Sequence, residues 1–325
     1  MRPFNFEKVK SAAEASVMKS AVSQYIAGGT NLVDLMKKNI AQPEKLIDIT
    51  TALSDTIDDQ NTGIKIGAMV SNSKVADHKE VITKFPLISK AILAGASPQI
   101  RNMASTAGNL LQRTRCPYFY DITTPCNKRK PNSGCSAIGG ANRMSAVAGY
   151  NEQCVAVHPS DFCVALAALD ATVTAQTKDL KEIKIPFTDF HKLPGNTPWL
   201  DNNLPQDAII THVEIPANAF SRHSAYVKLR DRTSYAFALV SVAAALNLDG
   251  KRIKDARLAS GGIAHKPWRW FEAEKFLQGK RATEEVFEEA ARLAVKDLKP
   301  LSENGYKIPM LQGAMITALK NSMNQ

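Results

Sequence analysis

The 325-residue chain is 44 % hydrophobic, with 41 Lys and Arg against 31 Asp and Glu, a net charge of +10 and a pI near 9.3. That length and apolar content allow two or three domains with real cores and exclude a low-complexity or repeat chain. Five cysteines, an odd number, in a chain whose start "MRPFNFEKVKSAAEAS" has no apolar core argue against a disulfide framework and against a signal peptide.

The expectation is therefore a chain that folds in the cytoplasm, any export being arranged by a partner. Its basic residues are scattered apart from one cysteine-rich segment. Neither a basic helix nor an aromatic RNA-binding pattern is present, so no nucleic-acid role is expected. The bland reading of the charge is a basic surface that is solvated or docks an acidic partner. The longest nearly apolar run, Tyr235–Leu246, is too short to span a bilayer.

In chain order the first 60 residues read as strand and helix alternating: "FEKVKS", helix "AAEASVMKSAV", strand "QYIAGG", helix "TNLVDLMKKNI", strand "KLIDITT". "IKIGAMVSNSKVADH" and a helix around "FPLISKAILAGA" follow. Ile100–Gly149 is rich in Gly, Pro, Asn and Arg and reads as mostly irregular, a length that needs an organiser inside a compact domain. "CVAVHPSDFCVALAALDATVTAQT" reads as strand, turn, helix, strand. After a linker at "IPANAFSRH" come three strands, "HSAYVKLRD", "YAFALVSVAAALNL" and "IKDARLASGGIA", then two helices, "KPWRWFEAEKFLQG" and "ATEEVFEEAARLAVKDL". The fold class is α+β. The domains are 1–220, with subdomains 1–60 and 61–220 and an insert at about 113–154, and 221–325.

Four sites carry chemistry. "YIAGGTNLVDLMK" is strand, glycine turn, helix; Gly28 and Gly29 permit conformations closed to other residues, and Thr30 or Asn31 can cap the helix. Such a turn suits a pyrophosphate, but the residues alone favour an ordinary left-handed turn with a helix cap, and it matches neither the dinucleotide nor the P-loop pattern. "IRNMASTAGNLLQ" is a second small-residue loop that lets a ligand approach the backbone. In "HPSDF", Ser160 or Asp161 is a natural helix cap, and Asp161 can instead accept from ligand hydroxyls. No hydrolytic triad or HExxH pattern appears.

The last is "RTRCPYFYDITTPCNKRKPNSGC". Cys116, Cys126, Cys135 and Cys154 are separated by nine, eight and eighteen residues, without the short knuckle of a zinc site. Iron–sulfur clusters tolerate such loop-borne spacing, and Arg113, Arg115, Lys128, Arg129 and Lys130 would offset an anionic cluster. Buried apolar cysteines fit the spacing as well. Cys163 lies on an apolar helix face.

Together, "IAGGTNLVDLMK", "QIRNMASTAGNLLQ", "HPSDF", "YVKLRDRTSYAFALVSVAAAL" and "ARLASGGIAHKPWR" resemble the signature segments of the FAD-binding subunits of molybdenum hydroxylases, the xanthine dehydrogenase and carbon monoxide dehydrogenase family. The cysteine insert resembles that of periplasmic aldehyde oxidoreductase FAD subunits, which carry an extra [4Fe–4S] cluster; 4-hydroxybenzoyl-CoA reductase has a related insertion. The fold this implies is a two-part FAD-binding domain of the vanillyl-alcohol oxidase (PCMH) type. A C-terminal CO dehydrogenase flavoprotein-like domain, a three-stranded antiparallel sheet with helices, would follow it.

The resemblance implies that Ile26, Ala27, Gly28, Gly29, Thr30, Asn31 and Leu32 surround the FAD pyrophosphate, and that Thr106, Gly108 and Asn109 make a second contact. Asp161 would hold ligand hydroxyls and Lys228 would sit near the flavin ring. Cys116, Cys126, Cys135 and Cys154 would ligate the cluster, with Cys163 the replacement if the fourth is misassigned. The implied activity is electron transfer, with no acid–base catalyst in this chain. Electrons would come from the [2Fe–2S] small subunit of an assembly whose molybdopterin large subunit oxidises an aldehyde, and would leave to an external acceptor. A twin-arginine signal on a partner would carry the complex to the periplasm. The rivals are a xanthine dehydrogenase-like or hydroxybenzoyl-CoA reductase-like subunit, a stand-alone flavin oxidoreductase, and an iron–sulfur protein that binds nucleic acid.

Overall fold

The computed structural model describes residues 1–323. Its N-terminal part is a parallel sheet of β1 (Asn5–Lys8), β2 (Ser23–Ile26) and β3 (Lys45–Asp48) in the order β1-β3-β2. The crossover helices are Ala12–Met18 and Leu32–Lys37. The first is started by Ser11, whose Oγ accepts from the Glu14 N–H at 3.1 Å, while the Glu14 carboxylate accepts from the Lys10 N–H at 2.7 Å. This is close to a reciprocal capping box.

The second sheet is antiparallel and mixes distant segments: β4 (Ile57–Gln60), β5 (Gly63–Gly67), β6 (Thr172–Gln176), β7 (Glu182–Pro186) and β8 (Ile209–Pro216), in the order β4-β5-β8-β6-β7. Because β4 belongs here, the break between the two sheets falls before residue 57 rather than at 60. Helix Pro86–Ala94 packs against helix Asp161–Ala168. All eight residues of the latter are buried, as expected of a helix apolar on every side.

The C-terminal sheet corrects the expectation of three strands. It has four, β9 (Ser224–Leu229), β10 (Val240–Asp249), β11 (Arg252–Gly261) and β12 (Trp268–Arg269), in the order β12-β11-β10-β9. The "KPWRW" stretch is not helical because Trp268 and Arg269 pair with Ser260 and Ala259, and the Trp270 Nε1–H donates to Ser260 Oγ at 2.8 Å. The helix begins only at Phe271 and ends at Leu277. The strand read from Tyr235 starts instead at Val240, since Tyr235 takes a left-handed φ of 51°. A further helix, Lys307–Met323, was not anticipated. Its Pro309 lies in the first turn, where the missing N–H costs nothing, and Leu311, Met315 and Leu319 pack it on the sheet.

Two short helices, Pro98–Met103 and Thr106–Leu110, occupy the start of the segment read as irregular. Between Leu111 and Ser160 the one helix is the four-residue Pro117–Tyr120, and no strand forms at "CVAVHP". That backbone is tied at separate points, as where the Ala146 N–H donates to Val155 O and the His158 N–H to Ala264 O. No described helix is long and apolar enough to cross a membrane.

Candidate functional site

Where the three parts meet, a cavity of about 950 Å³ opens, at the top of the range usual for small-molecule sites. The N-terminal part contributes Thr30 and Asn31, the second part Gly108, Asn109 and Asp161, and the C-terminal part Lys228. Six expected ligand residues are thus brought together. Ile26, Ala27, Gly28, Gly29, Leu32 and Thr106 do not line it.

Two of these non-lining residues shape the wall instead. A Cβ on Gly28 would lie 1.7 Å from Met103 O, so the glycine turn packs backbone against backbone on the end of helix Pro98–Met103. Gly29 has φ +69°, the left-handed region that favours glycine. Thr106 is fully buried, and both its N–H and its hydroxyl donate to Val70 O, at 2.8 and 2.9 Å. Its donors are spent inside the fold.

At the cap of helix Leu32–Lys37, Asn31 makes no side-chain cap bond. Its Oδ1 accepts from the Arg113 N–H at 2.9 Å, and its buried Nδ2 has no partner. Ser105 Oγ accepts from the Gly108 N–H at 3.2 Å, and a Cβ on Gly108 would meet only that oxygen, leaving the rest of its surroundings open. Asn109 Oδ1 accepts from Ser160 Oγ at 2.5 Å, which joins the second loop to the start of helix Asp161–Ala168.

Asp161 and Lys228 are partners of each other. The carboxylate accepts from Lys228 Nζ at 2.7 Å and from the Tyr226 hydroxyl at 2.8 Å, with both ionic side chains nearly buried. Lys228 Nζ and Arg230 also donate to Ala94 O, at 3.1 and 3.0 Å, placing cations at the C-terminal end of a helix. Burial and the adjacent carboxylate push the Tyr226 phenol well above its usual range, so it remains a donor. This pair bolts the C-terminal sheet to the second part across the cavity floor.

A second, small cavity lies beside the first. Cys116, Cys126, Cys135 and Cys154 line it together, all as free thiols. Cys163 does not: it is fully buried against His158 and His191, whose rings are 4.2 Å apart. Burial pushes its thiol up to about 12 and the two imidazoles down, His191 to about 4, so all three are neutral. Among the described residues this trio is the set of possible ligand atoms gathered within 4.8 Å; the four nest cysteines are not so gathered. The sulfurs of a single tetrahedral zinc, at about 2.3 Å from the ion, would be.

Within the nest, the proximity of Cys135 and Cys154 draws the Cys135 thiol down and, with burial, drives Cys154 up. Burial also raises Cys116. Of the five cations expected to face the nest, Lys128 alone lines it. Arg129 is spent on the carbonyls of Tyr118, Phe119 and Thr124, and Arg115 on Tyr120 and Asp34. Asp201, which no sequence pattern marked, accepts from Lys128 Nζ and from Arg113 Nε, each at 2.6 Å. Burial alone would raise its carboxyl; the two cations outweigh it and hold the pKa at about 2.

Residues 2–218 match the model of the FAD binding domain in molybdopterin dehydrogenase, and residues 224–312 that of the CO dehydrogenase flavoprotein C-terminal domain. The chain belongs to the FAD-binding subunits of the molybdenum hydroxylase family. This flavoprotein subunit is 44 % identical to the aldehyde oxidoreductase FAD-binding subunit PaoB of Escherichia coli K12, over the whole of both chains. It is 25 % identical to the glyceraldehyde dehydrogenase medium chain of Sulfolobus acidocaldarius, over 86 % of this chain and 82 % of that one. The fold of the flavoprotein subunit matches reconstituted CO dehydrogenase from Oligotropha carboxidovorans with a TM-score of 0.77 at 20 % identity, covering 100 % and 99 % of the two chains. Quinoline 2-oxidoreductase from Pseudomonas putida 86 matches with 0.76 at 21 %, covering 99 % and 98 %.

Proposed function

We propose that this chain is the electron-transfer subunit of a molybdenum-dependent aldehyde oxidoreductase, carrying FAD in the large cavity and a [4Fe–4S] cluster in the cysteine nest. Electrons would arrive from the [2Fe–2S] clusters of a partner subunit and leave to an external acceptor. A molybdopterin-containing large subunit would do the chemistry on the aldehyde. The aldehyde assignment is supported by the full-length likeness to the aldehyde oxidoreductase subunit.

The observation that carries the two-cofactor reading is the shared wall: Thr114, Cys116 and Ala156 line both cavities. Two redox groups held there would be separated by little more than one layer of side chains. The residues present fit both groups. The unpartnered Asn31 Nδ2 and the open side of Gly108 suit an anionic, extended ligand, and the Asp161–Lys228 pair supplies charge of both signs. Four free thiols around one enclosed space, too far apart for a single ion and beside the Lys128 ammonium, suit a cluster of several irons. FAD so held would supply one- and two-electron redox chemistry, while the protein binds and orients it.

The test is the absorption spectrum of the chain purified without oxygen, before and after dithionite. Structured flavin bands over a broad shoulder that bleaches, with about four irons per chain, are expected for this cluster type. Flavin bands without iron would return the cysteines to a structural role. A folded chain without flavin would overturn the reading.

A further inference from the structure

Asp201 lies in an irregular stretch, between residues that interact with distant parts of the chain. The Lys192 N–H donates to its carbonyl, and Asn202 bridges to His191. Its carboxylate, however, faces the cysteine insert, between Lys128 and Arg113. Lys128 is 4 % exposed in its side chain and lines the nest beside the four cysteines. Residue 113 reaches the other way: its backbone N–H donates to Asn31 Oδ1, and the Nδ2 of that same amide is the unpartnered donor at the wall of the large cavity. The Asp201 carboxylate, beside a longer 3.3 Å bond from Arg113 Nη2 to Lys128 O, therefore completes a continuous chain of side chains, Asn31–Arg113–Asp201–Lys128, from one cavity to the other.

We infer that Asp201 is a positioning residue that couples occupancy of the two cofactor sites, so that a filled cysteine nest pre-orders the Asn31 amide for FAD. The inference rests on the cluster reading above. Two cations share this one carboxylate, which leaves a net positive charge beside the nest. An anionic thiolate cluster fixes Lys128, Lys128 fixes Asp201, and Asp201 fixes the Arg113 side chain against the ring of Phe119, 4.7 Å away. With residue 113 held, the Asn31 amide keeps one orientation. With the nest empty, FAD must order that amide itself and binds more weakly. By reciprocity, FAD strengthens retention of the cluster by the same factor.

The experiment is a double-mutant cycle on the full chain purified without oxygen. Iron per chain is assayed first, and the FAD dissociation constant is then read from quenching of flavin fluorescence. Cys126→Ser in the native background is expected to weaken FAD about tenfold, within the usual span of site-to-site coupling. Asp201→Asn, which keeps shape and loses charge, is expected to weaken FAD to a similar degree with the fold intact. Adding Cys126→Ser to it should then change affinity by no more than about twofold, and Asp201→Glu should restore part of the coupling.

An equal effect of Cys126→Ser in both backgrounds would overturn the role of Asp201, and no effect in the native background would overturn coupling itself. A native chain without iron would remove the cluster reading and this inference together, an outcome that the iron assay separates from the other two. If Asp201→Asn does not accumulate as folded protein, Lys128→Met breaks the next link of the chain and must show the same non-additivity.

Discussion

The large cavity and the cysteine nest share a wall but are held in opposite ways. The cavity takes one side from regular elements, namely the turn after β2, the starts of helices Thr106–Leu110 and Asp161–Ala168, and strand β9, and the rest from loops such as 143–145 and 235–238. The regular side is fixed by sheet ladders, helix bonds and one buried ion pair, none of which needs a ligand. The nest is made by residues 113–156, which contain one helix of four residues. There the backbone is tied by single side chains: Arg129 on three carbonyls, and Asn127, whose amide donates to Gln153 O while its own N–H donates to Gly134 O. A region built from ladders keeps its shape when one bond is lost. A region built from separate ties is only as ordered as its centre, and local opening there costs little. On the proposed reading the first region would receive a cofactor and the second would be assembled around one.

The largest effect expected from that contrast is for Cys126→Ser. Iron should be lost entirely, and trypsin should cut within the insert, at Lys128 or Arg129, while the sheets resist. Iron analysis with mass spectrometry of a timed digest reads both. Full iron content, or an insert as resistant as before, would mean that the polar ties alone hold the loop.

A smaller effect is expected on the other side, for Gly28→Ala. The added methyl meets a backbone carbonyl 1.7 Å away, and no flexible side chain can yield, so the turn and helix Pro98–Met103 must part. Overpacking of this kind costs about 1–3 kcal/mol. FAD occupancy and the melting temperature should both fall, while iron per chain at saturating iron stays constant. Unchanged FAD occupancy would show that the glycine turn does not set the cavity wall.

Most of the regular architecture was legible because it follows from local pattern. The alternation in the first 48 residues and the cap at Ser160 are each written in a few neighbouring residues. So were the glycine and small-residue loops that converge on the cavity, although the sequence could not say that Thr106 turns inward. What escaped was what depends on distance along the chain. Asp201 lies 88 residues from Arg113 and 73 from Lys128, and nothing beside it in the sequence signals either. Lys307 is another case: fully buried, its ammonium donates to the carbonyls of Met144, Ser145 and Gly262, and so clamps the insert to the C-terminal sheet. Strand β12 escaped because two residues carry no periodicity, and their pairing with β11 overrides the helical pattern that surrounds them.

The smallest effect sharpens the boundary of the nest. Cys163 is nine residues from Cys154 and was its alternative, yet its thiol lies among neutral imidazoles and aromatic rings and keeps its proton up to about 12. This sulfur also does not line the nest with the other four, so its position sets it apart from them. Cys163→Ala removes one buried atom and should cost about 1 kcal/mol, the scale of a small cavity. A shallow fall in melting temperature is expected, with iron content and the visible spectrum unchanged. Loss of iron in this variant would transfer the fourth ligand from Cys154 to Cys163. It would also move the nest into the packed helix Asp161–Ala168, and the contrast between a laddered region and a tied one would no longer hold.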